Sequence, residues 1–409
     1  MMTDWSSELV PNCLLKHKVS RENQIKSSEI LTEGNFPVVD QGQSLIAGFA
    51  NDESKLINNG LPYIIFGDHT RCFKFIDFPF ILGADGTKVL KPDSEVFDPK
   101  FFFFALTAID IPSRGYNRHF KFLKEETIRY PGKSDQRRIA AVLSLVQRAI
   151  EEQERLIQLT TELKKTLMHK LFTKGTRGEP QKQTEIGPIP KSWEIKKLGD
   201  MAIKISKGSS PKWQGFQYTS SGVLFIRSQN VGVGRMLWTE QAFLPKEFNL
   251  KAKRSILKSG DVLINLVGAS IGRVAFGGED IEGANCNQAV CFVRLNCIEN
   301  LKHFIVYYLL TYGGQEQMRR QKKEIARANL SLLDVKGFYI PIPPKTEEIN
   351  KIASTLLIQE EKIYIHEHKR KVLQELFRSL LHQLMTAQIR VNDLDLSELG
   401  IETSDSNKR

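Results

Sequence analysis

Few side chains in this sequence are arranged for bond-making chemistry. His366 and His368 flank Glu367, but no further ligand lies nearby, and a zinc site needs a tighter cluster. Glu279 and Asp280 stand side by side and read as a turn more readily than as an acid–base pair. Residues 232–236 (GVGRM) miss the G-x-G-x-x-G pattern. There is no G-x-x-x-x-G-K-[ST] phosphate loop, and no [ND]-P-P-[YF] run of the kind an adenine methyltransferase would show. The five cysteines, Cys13, Cys72, Cys286, Cys291 and Cys297, form no C-x-x-C pair. An odd, scattered set fits reduced thiols better than a disulfide framework or a metal site. The expectation is no catalytic residue and no metal.

The chemistry on offer is recognition. The formal net charge is +11 and the sequence pI near 9.2. Such an excess attracts a polyanion through its summed field; a generic basic cytosolic protein is the plain alternative. On duplex DNA, Lys and Arg hold phosphates, Arg pairs with guanine, and Asn or Gln with adenine. Loops rich in these residues are therefore the DNA-binding candidates. In the first half of the chain they are Gln41, Gln43, Asp68, His69, Thr70, Arg71, Lys74, Tyr116, Asn117, Arg118 and His119. In the second they are Lys207, Ser209, Lys212, Arg227, Gln229, Asn230, Arg235, Ser270, Arg273, Asn287, Gln288, Arg327 and Asn329. Gly268 and Gly272 around Ser270 would let backbone turn sharply or approach a phosphate. For any one of these the competing role is a solvated charge or a turn hydrogen bond, and Asp68 and Asn287 suit the capping of local backbone.

The elements that must position such loops are legible as a repeat. The 409 residues are too many for one hydrophobic core. LKKTLMHKLFTKGTR (residues 163–177) lies over LFRSLLHQLMTAQIR (residues 376–390) at an offset of 213. Upstream, Ile139, Ala140 and Leu143 match Ile352, Ala353 and Leu356 at the same offset, and PGKSDQ lies over PPKTEE at 212. Each segment opens with Pro, then Ser134 or Thr346 followed by acidic or amide residues, the chemistry of a helix N-terminus. Neither has an internal Pro or Gly for about 40 residues, so each predicts a rod of roughly 60 Å. In the first helix Ile139, Val146, Gln153, Thr160 and Leu167 fall at heptad position a, and Val142, Ala149, Leu156, Leu163 and Lys170 at d. In the second, Ile352, Gln359, His366, Leu373 and Leu380 fall at a, with Leu356, Ile363, Phe377 and Leu384 widening the apolar face. The seam is polar in its middle, where Gln153, Thr160, Gln359 and His366 would fix register, unless the stripe rotates away with a 3.6-residue period.

Around the helices the composition is globular. Residues 63–66, 73–76, 79–82, 223–227, 261–267, 273–276 and 289–295 read as strands; 101–108, 301–312 and 314–325 read as helices. The expected fold class is α+β: two globular domains of mixed β-sheet plus helices, separated by a long antiparallel two-helix coiled coil. The expected divisions are 1–130, a first recognition domain; 131–177, a first spacer helix; 178–342, a second recognition domain; 343–390, a second spacer helix; and 391–409, a tail. No apolar leader is visible near Asp4, Glu8, Lys16 and Lys18, and the longest apolar run, 101–106, is far short of the ~20 residues that span a membrane, so a cytoplasmic protein is expected.

In the second half, IGPIPKSWEIKKLGD (186–200), FIRSQNVG (225–232), LKSGDVLINLVGASIGRVAF (257–276) and NCNQAVCFVRL (285–295) follow in order. In the first, VVDQGQSLIAGF (38–49), FGDHTRCFKFIDFPF (66–80), GYNRHFKFLKEETI (115–128) and PGKSDQRRIAAVL (131–143) do so. With the doubled helix, this set resembles the specificity subunits of type I restriction-modification systems over nearly the whole chain beyond about residue 30. The resemblance implies a non-catalytic subunit that reads a split DNA target with an unread gap. It implies methyltransferase partners carrying S-adenosylmethionine, and motor-nuclease partners carrying ATP and magnesium, with no cofactor in this chain. Docking of partners on the long helices follows from the same resemblance. One departure is expected: WEIKKLGD has no convincing counterpart at residues 5–12, which would leave the first recognition domain compact or incomplete. Two other readings stay open: a single-chain DNA nuclease with an unfamiliar site, and a coiled-coil scaffold that binds proteins only.

Overall fold

The computed structural model describes residues 5–83, 86–112, 115, 117–296, 300–323 and 329–394. The chain forms two compact units, one from the residues up to Gln153 with those from Lys369 on, the other Glu154–His368. Helix, strand and loop are mixed in both, as the α+β expectation has it. The two long helices run Lys133–Lys174 and Thr346–Met385, and each contributes one half to each unit. Asp135 in the first turn of one, and Glu347 and Glu348 in that of the other, suit the positive end of a helix dipole. Gly175, at φ +64°, ends the first helix in the left-handed conformation that glycine adopts without steric cost.

In the second unit the strand Glu194–Lys197 pairs antiparallel with Tyr339–Ile342, which leads into the second long helix. A four-stranded antiparallel sheet follows in the order Ala202–Lys207, Val290–Leu295, Val262–Asn265, Val274–Phe276. Beside it, Val223–Ile226 lies between Phe243–Leu244, antiparallel, and Asn285–Cys286, parallel. Helix Leu301–Leu310 has seven buried residues among ten, so it is apolar nearly all round and sits inside the unit. Its Phe304 and Tyr308 pack with Trp193 and with Phe172 of the first long helix. Ile349, Ile352 and Leu356 of the second long helix close the same core.

The first unit repeats this plan in different residues. Ser6–Leu9 pairs with Thr127–Tyr130 directly before the first long helix. The expectation that WEIKKLGD lacks a counterpart near the N-terminus is therefore corrected. Ser6–Leu9 is too polar (SSEL) to announce a strand, and its partner strand supplies the pairing. Trp5 stands before this strand as Trp193 stands before the other. Phe36–Val39 lies between Gly48–Ala50, antiparallel, and Ile81–Gly83, parallel, with Gln24–Ile25 outside. Tyr63–Gly67 lies between Phe73–Ile76 and Thr87–Leu90, both antiparallel. Where the second unit has the outer strand Ala202–Lys207, the first keeps, among the described residues, a single bridge, Leu14 to Pro92. Helix Pro99–Thr107 fills the core with Phe101, Phe102, Phe103 and Phe104, against Ile139, Leu143 and Leu384 of the long helices.

The seam of the helices departs from the heptad expectation in one place. Ile139, Val142 and Leu143 are buried as expected, at 2%, 5% and 0% exposure. In the later part of the same helix, however, Leu163 is 49% exposed and Lys170 lies outside, while Lys164, Met168 and Phe172 are buried. Met168 and Phe172 sit one place beyond whole heptads from Ile139 and Leu143. An α-helix drifts about 20° per heptad against a 3.5-residue repeat, so four heptads move the buried face by one residue. Lys164 meets Glu360 of the second helix there as a nearly buried ion pair.

Candidate nucleic-acid interface

In the second unit the four-stranded sheet ends in register along one edge. Lys207 lies opposite Cys291, Asn265 opposite Val290, and Ile264 opposite Val274. The candidate loops leave from this edge. Ser209 donates its N–H to the Cys286 carbonyl at 3.1 Å, Asn287 donates to Ile226 at 2.9 Å, and Asn265 Nδ2 donates to Ser228 at 2.8 Å. Val267 bridges to Asn329. Lys207, Ser209, Arg227, Gln229, Ser270, Arg273, Asn287, Gln288 and Asn329 are thereby gathered on one side of one sheet, although they span more than a hundred residues of sequence.

Among the candidates of this unit the roles divide. Lys207, Lys212 and Arg273 are exposed and form no ion pair among the described residues, so they are available to phosphates. Arg227 and Gln229 are both held by Glu240, at 3.5 Å and 2.6 Å. Asn230 is buried, and its amide donates to the Leu237 and Glu240 carbonyls while accepting from the Arg227 N–H; it folds the loop. Asn287 Oδ1 accepts the Ala289 N–H at 2.8 Å, the local capping weighed for it. Arg235 is paired with Glu367 at 2.6 Å. Gly268 and Gly272, at φ +71° and +94°, make the sharp turn around Ser270.

In the first unit three segments meet at the matching edge. Asp68 is 1% exposed; its Oδ1 accepts the Phe120 N–H at 2.7 Å and its carbonyl accepts the His119 N–H at 2.9 Å. Gln41 Oε1 accepts the His69 N–H, and Arg71 Nη1 donates to the Ile111 carbonyl at 2.7 Å. Lys74 is buried; its ammonium donates to the Asp40 carbonyl at 2.8 Å, and burial pushes its pKa down while Asp40 opposes the shift. Asp68, Lys74 and His119 thus work inside the protein. Gln43, Thr70, Asn117 and Arg118 are exposed around them. Tyr116 and Arg327 lie outside the described residues. The spacer residues His366 and His368 gain no third ligand: no group able to hold a metal ion is found among the described residues.

Sequence reasoning passed over Trp213. It is 84% exposed, yet the turn that carries it is well held. Gly215 is left-handed at φ +82°, Phe216 packs on Phe248, and Lys251 Nζ donates to the Gln214 carbonyl at 2.9 Å. A signal was available: no Asp or Glu occurs between Asp200 and Glu240, a stretch holding Lys204, Lys207, Lys212, Arg227 and Arg235.

The chain matches the family model described as "Type I restriction modification DNA specificity domain" over residues 17–161 and 190–375. It belongs to that family. The specificity subunit of type I restriction enzyme MjaVIII from Methanocaldococcus jannaschii is 29% identical over 67% of this chain and 65% of its own length. The putative MjaX specificity subunit of the same organism is 25% identical over 76% of this chain and 73% of its own length. That of EcoBI from Escherichia coli is 29% identical over 44% of this chain and 34% of its own length. The first of these relatives is thus matched over slightly less than two thirds of its length. Among solved structures, a type I restriction-modification S subunit from M. genitalium superimposes with a TM-score of 0.63 over 93% of this chain and 95% of that one, at 16% identity, which shows the shared fold. The doubled sequence pattern and the doubled strand order described above are what a family with two matched regions leads one to expect.

Proposed function

We propose that this chain is the DNA-reading subunit of a type I restriction-modification complex and leaves catalysis to its partners. The observation that carries the reading is the gathering of exposed Lys207, Arg273 and Asn329 with Ser270, Gln288 and Arg227 at one sheet edge, on a chain of net charge +11. Backbone phosphates would bind the cations and base edges the amides and arginines. Exposed Gln43, Thr70, Asn117 and Arg118 would serve the other half of a split target. Methyltransferase subunits would bring S-adenosylmethionine, and motor-nuclease subunits ATP and magnesium. The work would be done in the cytoplasm, where the DNA is; no described helix is long and apolar enough to cross a membrane.

Two stiff helices give a physical reason for a fixed gap between two read halves. Co-expression with a methyltransferase partner, followed by mapping of methylated adenines, tests the reading: a two-part motif with an unread gap is expected. Deleting one heptad from both helices should alter the gap and leave each half unchanged. Cleavage of plasmid DNA by the isolated chain would favour the nuclease reading instead, and a complex with no salt-sensitive DNA binding would favour the scaffold.

A further inference from the structure

Arg235 carries a side chain suited to guanine, but its guanidinium is held by the protein. Nη2 donates to Glu367 Oε2 at 2.6 Å. The other amino group, Nη1, is buried and has no hydrogen-bond partner among the described residues, so Glu367 is what orients the fork. Arg235 closes a short arm in which Val231 bridges to Met236 and the Gly232 N–H donates to the Arg235 carbonyl at 3.0 Å.

The arm has two faces, and each touches something that matters. On one face the Gly234 N–H donates to Val274 at 2.8 Å and Gly234 bridges to Ala275. That is the strand immediately after the 267–273 loop, at the sheet edge argued to meet DNA. On the other face Gly234, left-handed at φ +87°, lies against the Lys164–Glu360 pair: a Cβ there would stand 3.4 Å from Glu360 Oε2 and 3.6 Å from Lys164 Nζ. Glu360 and Glu367 are one heptad apart, hence on one face of the second long helix. The arm therefore ties the recognition sheet to two acids of the helix within the same unit.

We infer that residues 231–236 are a latch fixing how the second unit's recognition sheet is rotated on its helices, with Arg235 as a positioning residue and not a base reader. The inference rests on the DNA-reading proposal and refines it. Helix length sets the coarse gap of the split target, and this latch sets how strictly the gap is enforced. With the latch open, the sheet tilts on the helices and a gap one base pair longer or shorter becomes acceptable.

The test is methylated-site mapping of the full chain co-expressed with its methyltransferase partner. Arg235→Ala and Glu367→Ala should both keep the two half-site sequences. Methylation at sites with a gap one base pair off should rise roughly three- to thirtyfold relative to the parent, the span given by coupling energies of about 0.7–2 kcal/mol. The charge exchange R235E/E367R should return strict spacing. The latch is overturned if both single variants keep parental spacing. It is equally overturned if Arg235→Ala loses one half-site while Glu367→Ala behaves as the parent, because Arg235 would then be reading a base. Failure of the exchange to restore spacing, with all variants unfolding at the parental midpoint, also counts against it. Failure of the DNA-reading proposal looks different: the parent complex itself would leave no split motif, and the latch would fall with it.

Discussion

The turn after Tyr63–Gly67 in the first unit and the loop after Val262–Asn265 in the second hold the same place in the same strand order. They are held by different means. In the first, Asp68 ties the turn to residue 120 through its buried carboxylate and to residue 119 through its backbone carbonyl, with Gln41 bracing His69. In the second, glycines at 268 and 272 bend the backbone, and the Ser270 hydroxyl donates to the nearby Val267 carbonyl. Arg273 at the end of that loop points outward, whereas Arg71 in the first unit folds back onto Ile111. The frame beneath is shared, though each unit adds one outer strand in a different sheet: an entry strand paired to the strand before a long helix, a central strand with one parallel and one antiparallel neighbour, and an antiparallel hairpin. Backbone pairing and apolar burial fix that frame and tolerate exchange of residues. The loops carry no such requirement, so one frame supports two unlike loop edges.

The difference can be broken at its cores. Trp193 is fully buried against Phe172 and Phe304, while its counterpart Trp5 is half-buried at the rim of its unit. Trp193→Ala should destabilise the protein by about 3–5 kcal/mol. Trp5→Ala should cost clearly less; equal shifts in the denaturant midpoint would contradict the comparison. Next in size, Asp68→Ala leaves the part-buried Phe120 N–H without its acceptor, a cost of about 1–3 kcal/mol by denaturant unfolding. The replacement Ser270→Ala, at the equivalent loop, should change stability by less than about 0.5 kcal/mol.

Smaller and of another kind are the effects at the surface proposed to face DNA. Lys207→Ala and Arg273→Ala should leave unfolding unchanged. Each should lower the magnitude of the slope of log K against log salt by about 1, measured by titration of the complex with target DNA. Trp213→Ala should likewise leave stability within about 0.5 kcal/mol, because the ring is exposed. If the well-held turn meets DNA, the same variant binds target more weakly; unchanged affinity would remove Trp213 from the interface.

Much of the frame was legible. The strands at 63–67, 73–76, 262–265, 274–276 and 290–295 announce themselves by β-branched and aromatic runs, and the long helices by their repeat. The entry strand Ser6–Leu9 was not legible, because nothing in SSEL alternates and its strand character comes from pairing with residues 127–130. The rotation of the helix seam onto Lys164, Met168 and Phe172 was hidden by a pattern that fits 3.5 and 3.6 residues per turn over a short window. At the candidate interface, residue type alone could not separate Arg273, which is exposed, from Arg71 and Arg235, which bond within the protein. Nor could it separate Gln43 from Asp68 and Lys74. That distinction belongs to tertiary contacts between segments far apart in sequence.

The central claim is that each unit reads its own half of one target. The most direct measurement replaces the 268–273 loop, maps methylated adenines for parent and variant in the same methyltransferase complex, and compares the motifs half by half. The account predicts that one half changes or is lost while the other half and the gap stay as they were. A parent motif without a gap, or a variant in which both halves change together, would contradict it.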